Sequence, residues 1–176
     1  LPIAVGLLNP NGDEVVPTTV LEMTQAEQSF SFDGLAARPV PSILRGFSAP
    51  VVLDRETPPE QKRFLLAHDT DAFNRWEASR DLARACLERM VTEGAQPDTA
   101  WLDALEQVIR DDALDPAFRA LMLSLPTQSE MAQRLHDRGI TPDPDALYAA
   151  SEALRGRRAL GQSRAWRRLA VIAHPP

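Results

Sequence analysis

At 176 residues, with 44% hydrophobic and 25% charged residues, the chain has the make-up of one globular domain or two small ones, which excludes disordered, collagen-like and coiled-coil classes. No apolar run approaches the roughly 18 residues of a membrane span, and a single cysteine, Cys86, excludes an internal disulfide and any multi-thiolate metal site. The formal charge of −6 is uneven: residues 155–176 hold six of the 19 basic residues, all arginine, and none of the 25 acidic ones.

Leu1 opens an apolar stretch without a basic leader region, so no signal peptide is expected. The missing initiator Met raises the expectation that the numbering begins inside a longer protein. One free cysteine fits a reducing compartment, and a cytoplasmic location is expected.

The first third reads as strands. Ile3, Val5 and Leu7 alternate with Pro2, Ala4 and Gly6, the period of a half-buried strand. Asn9 to Asp13, with Asn11 and Gly12 at positions tolerant of positive φ, predicts a hairpin turn. Further short strands are expected at Val15 and Val16, from Val20 to Thr24, at Phe30 and Phe32, from Ile43 to Phe47 and from Val51 to Leu53. Pro39, Pro41 and Pro50 confine the later pieces to edges or strand starts.

Helical spacing then takes over. Thr57 with Glu60 reads as a capping box followed by proline, predicting a helix to about His68. Across 70–92, Phe73, Trp76, Ala83, Cys86, Leu87 and Met90 share one face, while Arg75, Glu77, Arg84 and Glu88 occupy others. Gly94 and Pro97 end that helix. Asp98 caps a helix through Trp101, Leu105 and Val108. Asp115 with Pro116 starts another, Thr127 with Glu130 forms a capping box, and Asp143 with Pro144 opens the last. Five or six helices in short succession predict a bundle or a superhelical stack.

The residues of catalysis are missing. His68, His136 and His174 are far apart, with no HExxH pair to place two imidazoles on one helix face. Gly is scarce and never spaced to cradle phosphate, and no Ser sits in a nucleophile elbow. Asp111 and Asp112 are neighbours on a helix and point about 100° apart, a solvated helix end and not a facing acid/base pair. Cys86 lies on the apolar stripe as a small buried hydrophobe, and Trp76 and Trp101 read as core. No catalytic, cofactor-binding or metal-binding residue is expected. Arg155, Arg157, Arg158, Arg164, Arg167 and Arg168, with Trp166, form the one unusual charge cluster. Pairing with acidic helices competes there with phosphate binding.

Four strings occur in order: MTQAEQSFSFDGL at 23–35, RPVPSILRGFSAPVVL at 38–53, FNRWEASRDL at 73–82 and LDPAFRALMLSLPTQSEMA at 114–132. Together they resemble the bacterial zinc-dependent aminopeptidase N family. The resemblance implies an α+β fold: residues 1–54 as a partial immunoglobulin-like β-sandwich and 55–176 as the first portion of an α-helical, superhelical domain. It implies a noncatalytic scaffold segment of a metallopeptidase that releases N-terminal amino acids. The zinc would belong to the parent, because the family's HExxH, its downstream Glu, its oxyanion Tyr and its Gly-Ala-Met-Glu-Asn motif have no counterparts here. The implied partners are the parent's remaining domains, with self-association through exposed strand edges; neither nucleic acid nor membrane is expected. The Arg-rich end departs from the family pattern and keeps a second reading open, a stand-alone helical module binding nucleic acid or an acidic partner through that end.

Overall fold

The structure is a computed structural model describing residues 1–160. The chain divides into two compact units, one from Leu1 to Ala78 and one from Ser79 on.

In the first unit, β1 (Pro2–Leu8), β2 (Glu14–Glu22) and β3 (Val40–Ile43) form an antiparallel sheet in the order β2-β1-β3. The expected hairpin forms. The Asn9 amide donates to Asp13 O at 2.8 Å, the Gly12 amide to Asn9 O at 2.8 Å, and Gly12 takes φ 94°, where a Cβ would be strained. The two strand pieces expected at 15–16 and 20–24 are one strand. Its register slips from Val5↔Thr19 to Leu7↔Val16, so an extra residue bulges opposite Gly6. The bulge absorbs Pro17, which cannot donate to a ladder, on the edge of the sheet.

β1 is buried on both faces rather than half-buried, with Ala4, Val5, Leu7 and Leu8 all in the core. It is the central strand, with chain packed against each side. The expected strand at Phe30 and Phe32 is absent: residues 23–39 are irregular, and both rings line the apolar side of the sheet without joining a ladder. The expected strand from Ile43 to Phe47 ends at Ile43. Leu44, Gly46 and Phe47 all take positive φ, near 60°, and Arg45–Phe47 closes as a single 3₁₀ turn. Residues 51–53 are irregular as well.

Six helices follow among the described residues: α1 (Pro59–His68), α2 (Ala72–Glu93), α3 (Thr99–Arg110), α4 (Pro116–Met122), α5 (Gln128–Asp137) and α6 (Pro144–Leu160). The capping box expected at Thr57 does not form. Pro58 precedes Pro59, and a residue before proline is driven out of the helical region; Pro58 takes ψ 146° and becomes the cap itself, without a side-chain bond. The other caps appear where the sequence places them. Asp98 accepts from the Trp101 amide at 3.2 Å and Asp115 from the Ala117 and Phe118 amides at 2.9 and 3.0 Å. At α5 the box is complete, Thr127 Oγ1 accepting from the Glu130 amide at 3.2 Å and Glu130 Oε2 from the Thr127 amide at 2.7 Å. That amide bond is the main reason the Glu130 carboxyl sits below its ordinary range. Thr127→Ala should lower stability by about 1 kcal/mol, read as a drop in the denaturant midpoint.

The second unit is built around Leu87, Trp101, Leu105, Val108, Met122, Met131, Leu135, Leu147 and Leu154, all fully buried. Ser79 Oγ donates to Met122 O at 3.1 Å, tying the α4 end to α2. Arg75 and Glu88, placed by their spacing off the apolar face of α2, are both buried. The first is sheltered because its guanidinium caps the α1 end, with Nε donating to Leu66 O at 3.0 Å. The second is neutralised from α5: Glu88 Oε2 accepts from Arg134 Nε at 2.8 Å, and Oε1 pairs with Arg138.

Candidate functional site

A dense polar constellation lies in the first unit, on the helix-facing side of the sheet, around Arg45. The left-handed backbone at Leu44 and Gly46 reverses the chain after β3 and points Arg45 back under the sheet, where it is 4% exposed. Gly6 of β1 makes the space. A Cβ there would fall inside the guanidinium group, so a side chain on the central strand and a buried arginine exclude each other.

Each arm of the guanidinium is engaged. Nε donates to Ser42 Oγ at 2.9 Å, one terminal nitrogen pairs with Glu14 and donates to Thr18 Oγ1 at 3.0 Å, and the other donates to Asp69 Oδ1 at 3.1 Å. Ser42 Oγ also accepts from Asn74 Nδ2 at 2.7 Å. With both lone pairs used, its own proton is left for the Asp69 carboxylate, which that bond stabilises. Around this centre, Thr70 Oγ1 donates to Glu14 Oε1 at 2.8 Å, the Gly46 amide to Asp71 Oδ2 at 2.9 Å, and Asn74 Nδ2 to Ile43 O at 3.0 Å.

Two carboxyls respond in opposite directions. Burial pushes the Asp69 carboxyl up, against the Ser42 and Asp71-amide hydrogen bonds and the Arg45 charge. The Arg45 hydrogen bond holds Glu14 below its ordinary range. Four acceptors take four of the five guanidinium hydrogens, so the cluster has little to offer an incoming anion. Its chemistry is that of a fastening.

On the opposite side of the sheet, Val5, Leu7, Leu21, Pro41 and Ile43 form the floor of an open groove of about 790 Å³, walled by Phe30, Phe32, Leu35 and Pro39, with Arg38 and Arg55 at its rim. Ig-like sandwiches cover such a face with a second sheet; the described residues form one sheet of three strands. At the edge, β2 is largely exposed, with Val20 at 56%.

The residues singled out in the sequence do not converge. His68 packs against Phe64 at 4.9 Å between centroids, and His136 lies in the last turn of α5; His174 lies outside the described residues. Cys86 is buried, with Sγ accepting from the Asp98 amide at 3.5 Å. Asp111 accepts from the Ala113 amide at the α3 end, and Asp112 pairs with Arg119 at 3.0 Å. Trp101 is fully buried and Trp76 half-buried beside Phe73. Arg155 pairs with Glu152 on its own helix; the side chains of Arg157, Arg158, Arg164, Trp166, Arg167 and Arg168 lie outside the described residues. Among the described residues, no helix is long and apolar enough to cross a membrane.

Known proteins share this arrangement. Residues 1–56 match DUF3458, a domain of unknown function with an Ig-like fold, and residues 59–174 match DUF3458_C, a domain of unknown function with ARM repeats. The chain belongs to the DUF3458_C family. The resemblance carried by the four strings holds as well. Aminopeptidase N of Caulobacter vibrioides is 39% identical over 170 residues, covering 94% of this chain, and that of Escherichia coli is 36% identical over 167 residues, covering 88%. The crystal structure of Legionella pneumophila aminopeptidase A in complex with aspartic acid superposes with a TM-score of 0.78 at 27% identity, covering 96% of this chain and 20% of that one. This DUF3458_C chain spans 19% of the length of either aminopeptidase N, within a noncatalytic region. The α+β architecture, a small antiparallel sheet followed by helices, is the one expected.

Proposed function

We propose that the chain is a noncatalytic framework segment of an aminopeptidase N, a zinc metallopeptidase that releases N-terminal amino acids from peptides in the cytoplasm. The observation that supports this best is the succession of an Ig-like stretch and ARM repeats that aligns along 94% of the chain with one aminopeptidase N. Zinc does not fit the residues at hand: among the described residues, no group of three or more His, Cys, Asp or Glu could hold a metal ion. The reading therefore assigns the metal and the hydrolytic step to the rest of the parent, and no catalytic, cofactor-binding or metal-binding residue to this chain.

What the chain contributes is a frame and surfaces. The apolar groove is assigned to the remaining strands of the parent's Ig-like domain, whose second sheet would cover the half-buried Leu21, Pro41 and Ile43 as in other sandwiches. Neither nucleic acid nor a membrane is among the partners assigned. The 176-residue chain, given an alanyl chromogenic substrate with and without added zinc, is expected to show no turnover. Rates on the order of 1 s⁻¹ or more, typical of enzymes, would sink the noncatalytic assignment.

Away from the parent, the exposed edge of β2 presents unpaired backbone groups that pair with a second copy. Sedimentation velocity should show concentration-dependent association, and Val20→Lys should shift it to monomer, because a charge on an edge strand blocks edge-to-edge pairing. Unchanged association in Val20→Lys places the contact elsewhere.

A further inference from the structure

We infer that the Arg45 cluster is a rigid joint: it locks the Ig-like strands to the first helices, so the chain does not flex at residues 54–58, where the two family matches meet. This goes beyond the aminopeptidase reading and stands or falls without it.

The two matches end at residue 56 and begin at residue 59, a place where a connection rich in proline and charge suggests two bodies on a tether. The contacts say otherwise. Arg45 and Ser42 belong to the first match, and Asp69, Asp71 and Asn74 to the second. Four hydrogen bonds cross between them at 2.7 to 3.1 Å: Arg45 to Asp69, Asn74 to Ser42, Asn74 to Ile43 O, and the Gly46 amide to Asp71. A fifth, from Thr70 to Glu14 at 2.8 Å, reaches β2. These bonds run from the α1–α2 corner to the β3 end and to the edge strand β2; one of them, Arg45 to Asp69, is made by the guanidinium itself, which also holds Ser42 of β3 and Glu14 and Thr18 of β2. A fork of fixed donors held on three sides permits neither rotation nor sliding of one body on the other.

The cost of building the cluster argues for the same role. The chain places Leu44 and Phe47 in the left-handed region, which side chains rarely adopt, forgoes any side chain at Gly6, and buries an arginine with an aspartate. An apolar plug at position 45 would fill the same space at lower desolvation cost. It would not dictate an angle. Compact division of the chain agrees, since the first unit runs through the boundary and ends at Ala78.

The test uses the full 176-residue chain with Cys86→Ser, and spin labels on cysteines placed at Thr19 of β2 and Glu60 of α1, both exposed. Dipolar spectroscopy should give one narrow distance in the otherwise unaltered chain, and a distribution at least about twice as wide in Arg45→Met and in Asn74→Ala. Trypsin should cut at Arg55 at least about tenfold faster in both, while hydrogen exchange shows the amides of β1 and α1 still protected. A narrow distance in both variants, with those amides protected, overturns the joint. Should Arg45→Met lose the protection of β1, Asn74→Ala, which removes no charge, decides alone: broadening supports the joint, and an unchanged distance or joint loss of β1 and α1 protection refutes it.

Discussion

Replacing Arg45 by Met should destabilise the first unit by about 3 to 5 kcal/mol, the range found when one member of a buried ion pair is removed and the other is left without its counter-charge. Asp69 is 2% exposed, so its carboxylate would stay in the protein interior facing Asp71, a second negative charge, after the guanidinium has gone. The pH dependence carries the sign of the effect. In the native chain Glu14, whose folded pKa is lowered, contributes stability that is present above its unfolded value and is lost as the pH falls through the folded one. Asp69, whose folded pKa is raised, acts the other way, so that between its ordinary value of 3.8 and its raised one the folded state binds more protons and stability falls as pH rises. Arg45 strengthens the first contribution and limits the second. Without it, Glu14 loses its main lowering contact and Asp69 rises further. Relative to the unaltered chain, Arg45→Met should then gain stability as the pH falls from about 7.5 to about 5. Urea midpoints of both chains at the two pH values measure it, and a variant that falls further below the unaltered chain at the lower pH contradicts the assignment of Asp69.

Trp101→Ala should cost the second unit about 3 to 5 kcal/mol, the range for truncating a large buried aromatic. Trp101 is 0% exposed and stands in the first turn of α3, on the same face as Leu105 and Val108, which are also buried. The Asp98 cap at its own amide fixes the start of α3, so collapse into the cavity is restricted and the loss stays near the upper end. Thermal unfolding followed by far-UV circular dichroism checks this. A midpoint within about 2 °C of the parent, well short of what 1 kcal/mol moves in a domain of this size, would show the ring to be dispensable.

How far the sequence discloses the fold depends on whether the signal is local. Asp98, Asp115, Thr127 and Asp143 cap the helices they precede because a cap needs only its next three residues. The Asn9–Asp13 turn is local in the same way. Pairing is not. The alternation at Phe30 and Phe32 describes which way the rings face but cannot supply a partner strand, and the Val15–Thr24 stretch looks like two strands because Pro17 hides the bulge that joins them. The site itself draws on residues from 14 to 74, so its members meet only once the topology is known. One trace of it is local. An isolated glycine within a strand pattern marks a close approach, and Gly6 stands where Arg45 approaches. Arg75 and Glu88 mislead because charge is read as exposure, whereas a carbonyl pair and two arginines satisfy them inside.

The central claim is that this chain frames an active site that lies elsewhere in an aminopeptidase N, and a chimera tests it most directly. The stretch of the Caulobacter vibrioides aminopeptidase N that aligns with it, 39% identical over 170 residues, is replaced by residues 1–176, and kcat/KM is measured on an alanyl substrate beside a deletion of the same stretch. The account predicts a chimera within about tenfold of the parent, or about 1.4 kcal/mol in transition-state stabilisation, and a deletion that is inactive or insoluble. A folded chimera as inactive as the deletion would contradict it.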